Sequence, residues 1–165
     1  MFDSAHAHSG SSVSASATAK GTTMSAQGLE VIDRTVQSTH EWINELAERV
    51  EWRDRRHTLL LLRSTLTSLR DMLDHDEAAH LSAQLPILIR GFYFEGWRPS
   101  TTPLADRSKE GFVRRVAERF KGSPAFAGEK NIREVFRLLN NRISEGEVGD
   151  VRAALPTALR SLWPD

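Results

Sequence analysis

The chain repeats itself. At a shift of 70 residues, and without a gap, 40–95 falls onto 110–165, so any fold must accommodate one pattern twice. Ten of the 56 aligned positions are identical. Ala47-Glu48-Arg49 falls on Ala117-Glu118-Arg119, Arg63 on Arg133, Leu69 on Leu139, Glu77 on Glu147, Ala83 on Ala153, Leu85-Pro86 on Leu155-Pro156 and Arg90 on Arg160. The substitutions keep the character of a core: Trp42 pairs with Phe112, Ile43 with Val113, Leu46 with Val116, Val50 with Phe120, Leu66 with Phe136, Leu73 with Ile143, Leu81 with Val151 and Tyr93 with Trp163. The Leu-Pro step stays in register. Proline lacks an N–H and clashes with the preceding turn, so each copy breaks its helical ladder at the same place.

The period within each copy is helical. Leu29, Ile32, Val36, Ile43, Leu46, Ala47 and Val50 fall mostly three or four apart, as do Leu59, Leu62, Leu66, Leu69 and Leu73. That spacing gathers them on one face. No segment alternates as a strand would; the run Leu59–Leu62 is apolar, but leucine favours helix and the run continues at helical spacing. A shorter helix is expected between Asp74 and Gln84, and another over 86–94, since proline suits a first helical turn. The stretch 96–106 holds two prolines and a glycine and reads as a linker. Further helices are expected over 108–121, 129–143, 145–153 and 156–162. The expectation is an all-α fold: two tandem, similar four-helix units forming a pseudo-duplicated bundle, 28–98 and 99–165, docked as one cooperative domain.

Residues 1–27 are almost all Ser, Ala, Thr, Gly and His. They have too little apolar surface to offset the entropy of ordering, and a disordered tail is expected. His6 and His8 in it read as two histidines in a floppy segment rather than as ligands. Met24 precedes the first periodic segment and offers an alternative translation start. With no cysteine in the chain, disulfides, thiolate metal sites and a cysteine nucleophile are excluded. No apolar run approaches the roughly 20 residues of a membrane span, and no signal-peptide pattern opens the chain. The expectation is therefore a soluble, cytoplasmic protein. A formal net charge of zero argues against nucleic-acid binding driven by bulk charge.

Glu77-Ala-Ala-His80 has the Glu-x-x-His spacing of di-iron bundles. Such a site needs the motif twice, and the second copy has Asp150 in place of His80. Capping accounts for both copies: Asp74-x-x-Glu77 and Ser144-x-x-Glu147 each read as a capping box. His75 and His80, five apart, do not share a helix face. No metal and no cofactor are expected.

The two halves differ in sign. Residues 28–98 carry 12 acidic and 9 basic side chains, net −3; residues 99–165 carry 9 and 12, net +3. Opposite charge suits docking of the units on each other. Arginine outnumbers lysine 18 to 4, and its planar fork fits carboxylate or phosphate. The densest basic spots are Arg53, Arg55, Arg56 with His57, and Arg114, Arg115 with Arg119; each reads first as a solvated face with local ion pairs and second as an anion site. In Arg90-Gly-Phe-Tyr-Phe-Glu-Gly-Trp-Arg98 four aromatics crowd six residues. Phe92, Phe94 and Trp97 are expected to seal the junction between the units; an exposed patch of Tyr93, Trp97 and arginine would instead be a binding surface.

Three segments, GLEVIDRTVQ, AAHLSAQLPILIRGFYFEGWRP and SEGEVGDVRAALPTALRSLWP, resemble a prokaryotic domain-of-unknown-function family, the one numbered twenty-two sixty-seven. The resemblance covers nearly all of 28–165. It implies a small, helical, bacterial or archaeal protein with no assigned activity, and it supplies no catalytic residues.

Two functional readings remain. The first is a non-catalytic interaction or scaffold module that binds an unknown protein partner or itself. The second is a small-anion binder, or an enzyme, with its site between the units. The second would draw on Arg63, Arg90, Arg133 and Arg160, with Tyr93 and Trp97, and on Arg70, Glu77 and His80 nearby. A pocket lined by Arg63, Arg90 and Arg133 would favour the second, and a flat aromatic patch the first.

Overall fold

The computed structural model describes residues 22–121 and 123–165. Among them are eight helices and one 3-10 turn, Pro99–Thr101, and no strand. The helices are α1 (Thr22–Val50), α2 (Arg55–Arg70), α3 (His75–Ala83), α4 (Ile87–Phe94), α5 (Lys109–Glu118), α6 (Glu129–Arg142), α7 (Glu145–Ala154) and α8 (Thr157–Arg160). The fold is all-helical, as the spacing predicts. The first turns of α1 reach back into 1–27; the remainder of that segment, with His6 and His8, lies outside the described residues.

The breaks have local causes. Asp54, Asp74, Ser108 and Ser144 each stand extended before a helix. Each accepts a backbone N–H two or three residues on, at 2.8, 2.8, 3.0 and 3.3 Å. A cap of this kind contributes about 1 kcal/mol. The reciprocal half of the expected capping boxes is not formed: Oε1 of Glu77 and of Glu147 is buried and meets no donor. α3 packs on α7, and the two glutamates lie in each other's field rather than over their own caps. α1 ends with Glu51 in the left-handed region, φ 58°. There the Trp52 N–H reaches back to Ala47 at 2.9 Å and that of Glu51 to Glu48 at 3.2 Å, the paired bonds that close a Schellman turn. Pro86 and Pro156 stand one residue outside α4 and α8, at the cap, with ψ 147° in both; the sequence reading placed them inside the first turn. Neither position supplies an N–H to the helical ladder, so proline's missing donor costs nothing at either.

Two arginines secure these breaks in the same way. Arg90 donates through Nε to the Ser82 carbonyl at 2.8 Å and through its fork to Ala83 and Leu85. Arg160 donates to Ala153 at 2.7 Å and Leu155 at 2.9 Å. Each guanidinium caps the carbonyl end of the preceding helix, α3 or α7, where a cation also meets the negative end of the dipole.

α2 is the central helix and touches α1, α4, α5 and α6; α1 also packs on α6 and α4. Its leucines Leu61, Leu62, Leu66 and Leu69 are fully buried, and serines and threonines occupy the positions between them. These small polar side chains let neighbouring helices approach, and Ser64 and Thr67 satisfy their hydroxyls on the carbonyls one turn back. One apolar cluster runs through both halves of the chain: Trp42, Leu46, Leu66 and Tyr93 from the first, Phe112, Phe136, Leu139 and Trp163 from the second. Phe136 stacks on Trp163 with ring centroids 4.4 Å apart, and the indole N–H of Trp163 donates to Asn140 Oδ1 at 2.6 Å.

Candidate functional site

Two surface features stand out against this core. The first is a cleft of about 550 Å³ bounded by α2, the turn that follows α4, and α5. α2 contributes Arg63 and Arg70, α5 contributes Arg115 and its C-cap Arg119, and Glu95 with Gly96 closes one end. Gly96, at φ 67°, allows the sharp turn after α4. Arg70 is 4% exposed. It grips Asp71 through Nε at 2.8 Å and donates to the carbonyls of Tyr93 and Glu95, the latter at 3.1 Å. It therefore fixes the end of α4 on α2. Arg63 pairs with Glu95 and lies over the Phe92 ring, 5.1 Å from its centroid.

The second feature is the first half of α1. Leu29 and Ile32 are each 57% exposed and Val36 39%, whereas Thr39 is buried and the helix is held from there onward. The apolar positions continue one series, Leu29, Ile32, Val36, Ile43, Leu46 and Val50, with Thr39 filling the gap in step. The C-terminal part of that stripe packs against the core; the N-terminal part has no cover among the described residues.

The six residues proposed from sequence do not converge. Arg63 lines the cleft; Arg133 sits on α6 beside Glu129 at 3.8 Å. Arg90 and Arg160 are committed to helix ends. Tyr93 is fully buried and its hydroxyl donates to the Ala78 carbonyl at 3.0 Å; burial pushes that phenol far above its ordinary value. Trp97 is half-buried, donates to Thr102 Oγ1 at 3.2 Å and packs on the edge of His75 and against Phe94. The aromatic segment thus seals the chain reversal at the end of α4, and none of its four rings is exposed. Of the basic spots, Arg55 binds Asn44 and Arg114 binds Asp106, while Arg115 and Arg119 belong to the cleft.

Sequence reasoning missed two ties between the halves. Arg142 of α6 meets Glu45 of α1 at 2.6 Å, and Asn141 donates to the same carboxylate at 3.3 Å. Burial alone would raise the Glu45 pKa, but hydrogen bonds from Arg49, Arg142 and Asn141 hold it below the usual carboxylate range. Arg107 donates to the carbonyls of Met72 and Ala154 at 2.9 and 3.0 Å, joining the ends of α2 and α7. The opposite net charges of the halves were the one signal pointing to such ties.

Glu77 and Glu147 carry the opposite strain. Burial, together with the charges of Glu147 and Asp150, raises the Glu77 carboxyl; burial and Asp150 raise that of Glu147, with His80 opposing in both. A carboxyl raised in the fold stabilises it below the unfolded-state value, and that contribution is lost as pH rises through the folded-state value. Glu77→Gln is therefore expected to raise the melting temperature at pH 7, by roughly 2 °C. The gain should fade as the pH drops below about 4, under the ordinary glutamate value, where the native carboxyl is itself largely protonated in both states. Thermal scans across that range check it; a variant no more stable than wild type at pH 7 would show the pair to be unstrained.

No helix among the described residues is long and apolar enough to cross a membrane. A search of curated proteins finds no match. The family described as "Uncharacterized conserved protein (DUF2267)" matches residues 39–162. The match begins at Thr39, where α1 enters the core, so the GLEVIDRTVQ motif of the resemblance lies outside it. By that match, over three quarters of its length, the chain belongs to the DUF2267 family of uncharacterized conserved proteins.

Proposed function

We propose that the protein is a non-catalytic, cytoplasmic interaction module that self-associates through the first half of α1. The exposed stripe Leu29, Ile32 and Val36 carries this reading. Its three-four spacing is that of a helix seam, and the same seam is already covered where α1 meets the core. A stripe of this kind is complementary to a second copy of itself about a twofold axis. Gly28 and Thr35 flank it on one side and Asp33 on the other, so only one flank carries charge.

The contact is small. Three or four apolar side chains from each copy cover well under the roughly 800 Å² per partner of a stable interface. Dimerisation should therefore be weak, with a Kd on the order of 100 µM. Sedimentation velocity over a concentration series should show the mass rising from 18.5 kDa toward twice that value. The double variant Leu29→Ser, Ile32→Ser should stay monomeric with an unchanged melting temperature, because both side chains are exposed. A wild-type protein that remains monomeric at the highest concentration would sink the proposal. So would a double variant that dimerises as well as wild type.

A further inference from the structure

The cleft between α2 and α5 takes no part in that contact and asks for a different occupant. Its volume, about 550 Å³, lies in the range of small-molecule sites. Its walls are guanidiniums, hydroxyls and carboxylates, so a ligand there is recognised by charge and hydrogen bonding rather than by apolar burial.

The charges do not cancel. Four guanidiniums in its lining meet three carboxylates, those of Asp71, Glu95 and Glu118, and the Asp106 carboxylate outside it is shared between Arg115 and Arg114, a fifth guanidinium. Arg70 is fully engaged and accounts for Asp71. Arg63 spends one nitrogen on Glu95 and keeps the others. Arg119 makes no ion pair and no side-chain hydrogen bond among the described residues, and it is exposed.

Arg115 is the least compensated. Its side chain is 22% exposed; its contacts are the Asp106 carbonyl at 3.5 Å, the Asp106 carboxylate at 3.8 Å and the Met72 sulfur at 3.7 Å. Its Nε–H is buried and meets no acceptor. Burial also pushes its pKa below the ordinary arginine value, with Asp106 only partly opposing. A half-buried guanidinium held by such long contacts has donors to spare. Ser68 of α2 lines the same cleft.

We propose that this cleft binds a small organic phosphate, held by Arg63, Arg115 and Arg119. One arginine satisfies a carboxylate. Three forks around one cleft fit a group with three terminal oxygens and close to two negative charges. Glu118, which stands among them without an ion pair, opposes the ligand and sets its affinity low.

Titration calorimetry of the full chain with inorganic phosphate and with glycerol 3-phosphate tests this, at ionic strength matched with sodium chloride. Both are expected to bind saturably, with Kd about 1 mM. Arg119→Ser should weaken binding about five-fold or more, and Glu118→Gln should tighten it several-fold. Both positions are exposed, and unchanged melting temperatures without ligand will show that the variants fold. Arg133→Ser, on α6 outside the cleft, should bind as wild type does. The proposal is overturned by any of three results: no saturable binding of either phosphate, Arg119→Ser binding as tightly as wild type, or Arg133→Ser losing as much as Arg119→Ser. Citrate binding where the phosphates do not would likewise overturn it, by showing a carboxylate site.

Discussion

Separating the chain at Ser100 is expected to leave two fragments, neither of which folds alone. Each is small enough that it could bury only about 60% of its surface even if it packed well. Neither can pack well. α1 and α2 of the first fragment lie against α6, α2 also lies against α5, and α3 lies against α7. Removing the second fragment therefore bares the leucine face of α2, and removing the first strips Phe112 and Val116 of their cover. Circular dichroism of each fragment should show no cooperative thermal transition, while co-expression should recover a folded complex. The Glu45–Arg142 pair and the −3 and +3 charges of the halves should make reassembly of the mixed fragments weaker in high salt. Two independently folded, monodisperse halves that do not bind each other would show two separate domains. In the structure, positions seventy apart play matched parts. Asp74 and Ser144 cap, Pro86 and Pro156 restart, Arg90 and Arg160 close the helix before, and Tyr93 and Trp163 fill the core. We take this as support for a duplication whose copies interleave.

The helices were legible in the sequence because their signals are local. Asp54, Asp74, Ser108 and Ser144 announce their helices within three residues, and the Leu-Pro steps end theirs within one. That the rings of Phe92, Phe94 and Trp97 are covered could be expected, because four large rings in six residues exceed what one turn can expose. Their place could not: Trp97 packs on His75, Thr102 and Phe94 at the reversal after α4, not at the junction expected between the units. The roles of Arg90 and Arg160 were also local, and the repeat hid them. Each stands four residues after a proline that follows a helix end, near enough to reach back to that end, and a matched pair of arginines reads as easily as a matched pair of ligands. The cleft was not legible. Arg63 and Arg119 meet only because α2 packs on α5. The repeat suggested a different companion, Arg133, which the fold places elsewhere. The exposed part of α1 was hidden for the converse reason: Leu29, Ile32 and Val36 have the same spacing as Ile43, Leu46 and Val50, and where the neighbouring helices stop covering α1 is a fact of tertiary packing.

Replacing Arg70 with alanine is expected to cost about 3 kcal/mol, because a buried guanidinium leaves behind two carbonyls and a carboxylate that only partly reaches water. Three groups lose their donor together: the Asp71 carboxylate, and the carbonyls of Tyr93 and Glu95 that end α4. Tyr93 is wholly buried, so its carbonyl has little access to water in exchange. Arg70→Lys keeps the charge but not the fork, and should fall between wild type and alanine. Urea unfolding midpoints at neutral pH measure all three; an alanine variant within about 1 kcal/mol of wild type would mean that water replaces the guanidinium. The pairing itself can be isolated. If the cost comes mainly from a stranded Asp71, then Arg70→Ala combined with Asp71→Ala removes the stranded charge and should be more stable than Arg70→Ala alone. If the double variant is instead the less stable, Asp71 contributes independently of Arg70. The carboxylate would then stabilise the fold with the guanidinium gone, and the cost of Arg70→Ala would come from the two stranded carbonyls at the end of α4.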